Sequence, residues 1–468
     1  MPQTARRRTP DKRRRAKTLK GHVAQLERIN FHAAGIDIGA TDHWVAVPAD
    51  RDEQPVRRFG TFTADLYALA AWLAQCDIET VAMESTGVYW ISLFEVLEER
   101  GFEVQLVNPQ HIKQVPGRKT DVSDCQWLQE LHTYGLLRGC FRPADQVCVL
   151  RSYLRQRDGL IATAARAVLH MQKALEQMNL KLTEVVSDIT GETGMGIIRS
   201  IIAGERDPQR LAQHRDRRCK HDAETIAKAL EGHWRQEHLF ALKQAVAHYD
   251  FVQQQMAACD AQSAACLHAM LPSEEVVAPP APAGRRRRPS KNAPVFNVWA
   301  YLYTLTGVDL TRIDGIDAVT ALKVVSEIGL DMTRWPSAKH FASWLGLCPG
   351  NKISGGKRYS SRSKPTANRV ATALRLAAQS LARSHSALGA YYRRMRSRLG
   401  GPQAITATAH KLARLIYSML RYGTAYVDAG QHAYEQQHRD RVLSNLQRKA
   451  HTFGYKLVRV EEEAAVRL

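Results

Sequence analysis

The sequence lacks the features of membrane and secreted proteins. No apolar stretch in the 468 residues approaches the length of roughly eighteen residues that a membrane-spanning helix needs. The basic N-terminus is followed by no apolar segment, so we expect no secretory signal. Eight cysteines occur, none in a Cys-x-x-Cys pair, which argues against a disulfide framework and a zinc ribbon. We therefore expect a reduced, cytoplasmic protein with no membrane partner.

Acidic residues are too few to balance the basic ones. Lys and Arg number 66 against 46 Asp and Glu, which gives a net charge of +20. Hydrophobic residues make up 44% of the chain, so the composition is that of a folded protein and not of a disordered one. A positive excess of this size indicates a polyanionic partner, for which nucleic acid is the first candidate. The alternative is a basic protein without such a partner.

Composition divides the chain into six segments. Two are basic and have little to bury: a flexible arm over residues 1–30 and a Pro- and Arg-rich linker over 272–294. The other four are a strand-and-helix domain over 31–148, a helical region over 149–271, a second domain over 295–430 and a tail over 431–468. The sequence indicates no function for the tail.

The segment 33–108 alternates between strand-like and helix-like patterns. Three short runs with β-branched residues are joined by turn residues and are followed by strand–helix–strand units. This order predicts a mixed sheet with helices on its faces. The predicted strands are 33–39, 43–47, 57–62, 80–83 and 103–107, and the predicted helices are 64–75, 89–100 and 121–137.

The segment 150–189 has the spacing of a coiled coil. Its seam positions recur alternately every four and three residues over more than five heptads, and only Arg157 interrupts the apolar pattern. A weaker seam from Ala245 to Met270 is a candidate for a returning helix. Either an antiparallel hairpin within one chain or a dimer between chains satisfies the pattern, and a long core helix is the alternative.

Four acidic residues lie where predicted elements begin or end. Asp37 is inside the first strand, Glu84 directly follows a buried strand, and Asp121 and Asp124 share one face at the start of a helix. Such carboxylates are ligands for Mg²⁺ or Mn²⁺ in sites that activate a nucleophile on phosphate. Taken singly, Asp121 and Glu84 could cap helices, and Asp37 could pair with a buried arginine. The neighbouring Asp42 falls in a turn and is left out of the set.

Three motifs resemble the DEDD transposases of a bacterial insertion-sequence family: Gly35–Gly39, Glu84–Gly87 and Lys119–Asp124. The resemblance implies a RuvC-like, ribonuclease-H-type fold in which the four acids bind Mg²⁺ and Lys119 contacts nucleic acid. Members of the family are recombinases guided by a bridge RNA or seek RNA. The resemblance therefore also implies a guide RNA, double-stranded DNA at the element ends and target, and a homodimer or homotetramer. It departs at Cys125, where a small alanine is expected.

The C-terminal half has a second group of candidate nucleic-acid contacts. Residues 313–330 resemble a helix-hairpin-helix, in which the turn at Gly315 opens a helix that can hold a phosphate; an ordinary helical hairpin is the alternative. Further on, Gly355 and Gly356 would let the backbone approach a phosphate, unless they form only a flexible surface turn. The polar residues that we expect to contact nucleic acid are Lys357, Arg358, Arg362, Lys364, Asn368 and Arg369.

Ser354 precedes this glycine pair and is placed to attack phosphorus once its proton is removed. The order Gly346–Pro349, Ser354-Gly355 and Asn368-Arg369 resembles the C-terminal transposase domain of the same family. By that resemblance Ser354 is the nucleophile, and it forms a phosphoserine link to DNA. The competing candidates are Ser360, Ser361 and Ser363.

The predicted fold class is α/β plus α: a RuvC-like mixed sheet, a coiled-coil insertion and a mainly helical C-terminal domain with a helix-hairpin-helix. The predicted function is an RNA-guided DNA recombinase that exchanges strands without ATP. By resemblance, the two halves of its site come from different protomers. The alternatives are a RuvC-like structure-selective endonuclease that uses the acids and water, and a non-enzymatic nucleic-acid-binding protein. We expect it at the bacterial nucleoid.

Overall fold

A computed structural model describes residues 27–109, 121–272, 291–360, 362–363 and 368–457, the side chains of Asp121, Lys352 and Arg358 aside. Contacts divide the chain into two compact units, Met1–Arg142 and Pro143–Leu468. Within the described residues, no helix is both long enough and apolar enough to cross a membrane.

The first unit is built on a five-stranded mixed sheet. Its strands are β1 (Ala33–Ile38), β2 (Asp42–Ala46), β3 (Val56–Gly60), β4 (Thr80–Glu84) and β5 (Glu103–Val107). The spatial order is β3-β2-β1-β4-β5. The pairs β1–β2 and β2–β3 are antiparallel, whereas β1–β4 and β4–β5 are parallel. The mixed sheet predicted from the sequence is confirmed, and each strand lies within two residues of its predicted position.

Helices cover both faces of this sheet. They are α1 (Thr63–Gln75), α2 (Trp90–Glu99) and α3 (Asp121–Thr133). Ile36 of β1 packs with Leu69 of α1 and Leu97 of α2 in one core, while Ala82 of β4 packs with Leu128 of α3 on the opposite face. The central strands are apolar on both faces for this reason. The predicted helix 121–137 ends four residues early, at Thr133.

The second unit begins with two long helices, α4 (Asp145–Gln177) and α9 (Gln236–Ala269). Between them lie α5 (Leu182–Val185), α6 (Glu192–Ala203), α7 (Pro208–Ala212) and α8 (Ala223–Ala229). The long helices run antiparallel, because Cys266 near the end of α9 contacts the carbonyl of Gln146 at the start of α4. They share one core, in which Met171 of α4 and Val252 of α9 are buried.

The continuous seam predicted over 150–189 is wrong beyond α4. The helix ends at Gln177, and Asn179 then takes a left-handed conformation with φ of 57°. Leu182, Val185 and Ile189 are buried as the heptad spacing required, but they belong to α5 and the loop after it. The pairing of α4 with α9 is a helix hairpin within one chain, and a coiled coil between chains stays a prediction.

The rest of the second unit is helical apart from one small hairpin. Its elements are α10 (Val298–Thr306), α11 (Ala318–Ile328), α12 (Ala338–Trp344), β6 (Lys352–Ser354), β7 (Lys357–Ser360), α13 (Arg369–Ser380), α14 (Ala387–Leu399), α15 (Gly401–Tyr422) and α16 (Gly430–Thr452). Aromatic rings anchor this part: Tyr417 packs against Phe341 and donates a 2.8 Å hydrogen bond to the carbonyl of Trp335. The helix α16 falls in the tail, where the sequence analysis predicted no element.

Candidate metal site and nucleic-acid contacts

Asp37 and Glu84 occupy equivalent positions on adjacent parallel strands. β1 and β4 pair in register up to Ile36 opposite Met83, and the two acids are the next residues on each strand. Because side chains alternate along a strand and register partners share a face, both carboxylates lie on the face of Gly35. This is the carboxyl end of the parallel strands, where the ligands of open α/β sheets bind.

Helix α3 lies on the same face and touches β1 at Gly35. A Cβ atom on Gly35 would lie 2.2 Å from the backbone nitrogen of Gln129 and 2.5 Å from the carbonyl oxygen of Cys125. Only glycine admits a helix this close to a strand. The close approach brings α3, with Asp124 next to Cys125, onto the face that carries Asp37.

The thiol of Cys125 is influenced by two of the predicted metal ligands. Its side chain is fully buried, and burial is the main reason that its pKa rises to about 12. The negative charges of Asp37 and Asp124 act in the same direction on this pKa. Cys125 fills the place where the resemblance led us to expect alanine.

Glu84 is half-buried, and it does not cap the helix that follows it. Its Oε2 accepts a 3.3 Å hydrogen bond from the hydroxyl of Thr86, and the residue that precedes α2 is Tyr89. The alternative role of Glu84 as a helix cap is therefore wrong. Asp42 accepts a 2.5 Å hydrogen bond from Nε of Arg58, so its carboxylate is engaged within the sheet.

The fourth acid of the predicted set lies at the start of helix α3. Asp121 is the first residue of α3, one turn before Asp124, but its side chain lies outside the described residues, as does all of Lys119. Among the described residues, no group of three or more His, Cys, Asp or Glu side chains is close enough to hold a metal ion. The four-acid metal site stays a prediction.

Ser354 is the last residue of β6, at the turn of the hairpin. It is exposed and pairs with Lys357 across Gly355 and Gly356. These glycines have φ of 55° and 73°, and two successive positive φ values define a type I′ turn. A Cβ on either glycine would meet nothing within 4 Å. The turn's backbone conformation explains both glycines, whether or not a phosphate approaches them.

The competing serines lie in other surroundings. The hydroxyl of Ser360 accepts a 3.2 Å hydrogen bond from the backbone nitrogen of Arg362. Ser363 forms an isolated bridge with Pro349, and Ser361 lies outside the described residues. Ser354 differs from Ser360 and Ser363 in its position at the turn.

The predicted nucleic-acid contacts near the hairpin fall into two groups. Lys357 and Arg362 are exposed, while the side chain of Arg358 and all of Lys364 lie outside the described residues. The other two residues, Asn368 and Arg369, lie at the start of helix α13 and contact other parts of the protein. The side chain of Asn368 caps this helix by accepting a hydrogen bond from its third residue.

Arg369 links α13 to the long helix α4. Its Nη1 lies 3.1 Å from Oδ2 of Asp158, which also binds the ammonium of Lys323. Arg369 therefore helps to hold α13 against α4, and its role as a nucleic-acid contact stays a prediction.

The turn at Gly315 is packed against the protein. With φ of 86°, Gly315 sits so close to α13 that a Cβ would lie 2.8 Å from the carbonyl oxygen of Ala377. The helix that follows, α11, already has an acidic cap, because Asp317 accepts a 2.8 Å hydrogen bond from the amide of Thr320. The sequence resemblance to a helix-hairpin-helix is thus neither confirmed nor needed to explain this glycine.

One stretch of the second unit is rich in basic residues and lacks acidic ones. The ninety-six residues 332–427 contain seventeen Lys or Arg and no Asp or Glu. Most of the net charge of +20 therefore comes from one stretch of the chain. A count of acidic residues along the sequence would have located it, whereas a search for motifs does not.

The sheet order and the carboxylates at the ends of its parallel strands fit the class of ribonuclease-H-like DEDD domains. A family model for the DEDD transposase domain of IS110, described as "Transposase", matches residues 34–180. A second model, "Transposase IS116/IS110/IS902 family", matches residues 309–393. The resemblance noted in the sequence is confirmed: these two parts of the chain match the models of DEDD-type transposases of the IS110 family.

A relative from Streptomyces coelicolor (strain ATCC BAA-471 / A3(2) / M145) is similar over part of the chain. It is named "Insertion element IS110 uncharacterized 43.6 kDa protein" and is 33% identical over 119 residues. The match covers 25% of this chain and 29% of the relative. The chain thus matches less than a third of that relative's length.

Proposed function

We propose that the protein is an insertion-sequence transposase that cuts and rejoins DNA through a phosphoserine intermediate. The observation that carries the proposal is the convergence of Asp37, Glu84 and helix α3 at the carboxyl end of the central strands. The two matched transposase domains support it, because one contains these acids and the other contains Ser354.

The residues present fit a divalent cation. Asp37, Glu84, Asp121 and Asp124 would supply hard carboxylate oxygens, the ligands that Mg²⁺ and Mn²⁺ prefer. Gly35 supports this assignment, because its missing side chain lets α3, the helix that carries Asp124, pack closely against the strand that carries Asp37. A bound cation would stabilise negative charge on the scissile phosphate. The acids themselves would orient that phosphate by fixing where the cation sits.

Ser354 would carry the covalent step. Its Oγ forms a bond to phosphorus while the bond from phosphorus to a sugar oxygen breaks, and the serine proton passes to that leaving oxygen through solvent. In the return step, a strand-end hydroxyl attacks the same phosphorus, and Ser354 regains its proton. Each step exchanges one phosphate ester for another, so the bond energy is conserved and no ATP is required. The exposed turn lets a DNA backbone reach the hydroxyl.

A guide RNA and a homo-oligomer are part of the proposal on the strength of the family resemblance. If a guide RNA pairs with the target, the sequence specificity lies in base pairing and not in side chains. The basic surface of the chain suits RNA and DNA equally, since both present phosphates.

The test is a covalent-trapping assay with Mg²⁺, element-end DNA and RNA transcribed from the flank of the element. Wild type, Ser354→Ala, Glu84→Gln and the matched control Ser360→Ala are compared on a denaturing gel. We expect a protein–DNA adduct in wild type and Ser360→Ala that is absent from the other two. Cleavage without an adduct, unchanged in Ser354→Ala, would instead indicate a RuvC-like endonuclease. DNA binding without any cleavage would indicate a non-enzymatic binding protein.

A further inference from the structure

Two cations and two tyrosine rings form a cluster on the last three helices. It consists of Tyr391 and Arg394 of α14, Lys411 of α15 and Tyr434 of α16, and we refer to it as the tyrosine–cation cluster. The Nζ of Lys411 lies 4.6 Å from the ring centroid of Tyr391 and 5.4 Å from that of Tyr434. The Cζ of Arg394 lies 4.9 Å from the Tyr434 ring. The rings are 6.4 Å apart and nearly perpendicular.

The cluster gathers like charges that repel one another. Arg394 and Lys411 approach the same two rings, so their positive charges repel one another. Burial lowers the pKa of Lys411, and the charges of Arg394, Arg414 and Arg441 lower it further. The ring faces offset part of this repulsion through cation–π attraction, but they carry no net charge.

Polar atoms inside the cluster are unsatisfied. The Nη1 of Arg394 and the hydroxyl of Tyr434 are shielded from solvent, and neither has a hydrogen-bond partner within the part of the chain that the structure describes. The nearby acids of α16 are engaged along their own helix: Glu435 accepts from Gln431, and Asp440 accepts from Gln436. A negatively charged group with several acceptor oxygens is what the cluster lacks.

The sequence around the cluster carries only positive charge. Residues 387–422, which span α14 and α15, contain seven Lys or Arg and no Asp or Glu. Most of this segment lies beyond residue 393, where the second family match ends. The match therefore assigns no role to Lys411 or Tyr434.

We propose that the tyrosine–cation cluster binds a phosphate of a nucleic-acid backbone. All four residues of the cluster are partly exposed, so a phosphate can reach it, and Arg394 and Lys411 supply the charge-assisted hydrogen bonds. The continuous positive charge of α14 and α15 favours a long polyanion over an isolated anion. The inference deepens the proposed function, because it adds a second nucleic-acid contact that takes no part in the chemistry.

The test measures binding of the full chain to labelled double-stranded DNA and to labelled single-stranded RNA, each of unrelated sequence. The double variant Arg394→Gln/Lys411→Met is compared with the control Arg210→Gln/Arg235→Gln. The control removes the same charge from exposed arginines that are already paired with acids. We expect about a tenfold loss of affinity in the double variant and less than about twofold in the control. The slope of log Kd against log salt should fall by about one to two.

Stability separates binding from a merely structural role. Removing a charge from a set of repelling cations should raise the Tm of the free protein, so Lys411→Met should melt higher while binding more weakly. Lys411→Arg, which keeps the charge, should restore binding. A lowered Tm in Lys411→Met with unchanged affinity for both nucleic acids would overturn the proposal. A loss of binding in the double variant no larger than that of the control would also overturn it.

The two nucleic acids and the trapping assay distinguish the outcomes. Loss of affinity for DNA alone, for RNA alone or for both supports the cluster as a phosphate site and identifies its source. If wild type forms no adduct but the double variant binds nucleic acid more weakly than wild type does, the proposed chemistry is wrong and the proposed phosphate site is supported. If the adduct forms normally and binding to neither nucleic acid changes, the cluster fails and the chemistry stands.

Discussion

Arg157 on α4 and Asp260 on α9 form a buried two-point ion pair. Their atoms meet at 2.5 Å (Nε–Oδ1) and 3.2 Å (Nη2–Oδ2), and the side chains are 6% and 2% exposed. The pair also fixes the chain at the end of the predicted linker. Arg157 donates to the carbonyl of Asn292, and Asp260 accepts from the backbone nitrogen of Val295. The residue that interrupts the heptad seam thus ties three segments together.

Breaking this pair should destabilise the second unit. Asp260→Asn leaves the guanidinium of Arg157 buried without its counter-charge, which typically costs about 3–5 kcal/mol. The measurement is the free energy of unfolding by urea. The matched control is Asp250→Asn, which breaks the exposed pair of α9 with Arg199 and should cost less than about 1 kcal/mol. Equal losses in the two variants would contradict the role assigned to the buried pair.

Gly35 should not tolerate any side chain. The Cβ of Gly35→Ala would collide with the backbone of α3 at Gln129 and Cys125, so the helix must move away from the sheet. We expect DNA cleavage to fall by more than about tenfold, since misplacement of reacting groups by about 1 Å can cost a hundredfold. Gly159→Ala is the control, because this exposed helical position has open space and should gain about 1 kcal/mol. Full cleavage by Gly35→Ala would contradict the close packing.

Gly355 offers a pair of substitutions at one position. Asparagine tolerates the positive φ that a type I′ turn requires, whereas a β-branched residue does not. We therefore expect Gly355→Asn to retain covalent adduct formation and Gly355→Val to lose most of it. The hairpin is exposed, so the Tm of both variants should stay near that of wild type. The trapping gel and a thermal melt are the measurements. Comparable adduct yields would mean that the turn does not position Ser354.

His132 should make the first unit sensitive to acid. Its side chain is only 4% exposed, its Nε2 lies 2.9 Å from the hydroxyl of Thr80, and burial lowers its pKa to about 4. Below the unfolded pKa of about 6.5, the unfolded chain binds a proton that the folded chain does not. The free energy of unfolding therefore decreases as the pH is lowered from about 6.5 to about 4. Between about pH 7 and pH 5 this amounts to about 2 kcal/mol.

The His132→Gln variant removes this proton linkage. Urea denaturation followed by tryptophan fluorescence at the two pH values should therefore give a smaller pH effect for the variant than for wild type. An equal dependence on pH in the two proteins would show that His132 is not the responsible group.

The strands and helices of the first unit could be predicted because local patterns specify them. β-Branched residues and turn signals located all five strands. The heptad spacing correctly indicated burial at Leu182 and Ile189, but it could not indicate that the helix ends at Gln177. Burial requires only an apolar face, and several backbone paths can supply one.

The candidate site shows the same division. The spacing of Asp121 and Asp124 placed them on one helical face, and the position of Glu84 after a buried strand placed it at a sheet edge. Asn is a favoured cap residue, so the local sequence already carried the signal for the helix cap at Asn368. The pairing of Arg369 with Asp158 could not be predicted locally, because it depends on how α13 packs against α4.

By itself, the sequence determined the order of the elements, the positive charge, the family resemblance and the acids that the resemblance assigns. These are properties of neighbouring residues and of composition. The tertiary structure decided which helix packs on Gly35, why Arg157 interrupts an apolar seam, and that Lys411 lies between Tyr391 and Tyr434. Such relationships join residues far apart in the chain, and their energies depend on distances that only the packed fold sets.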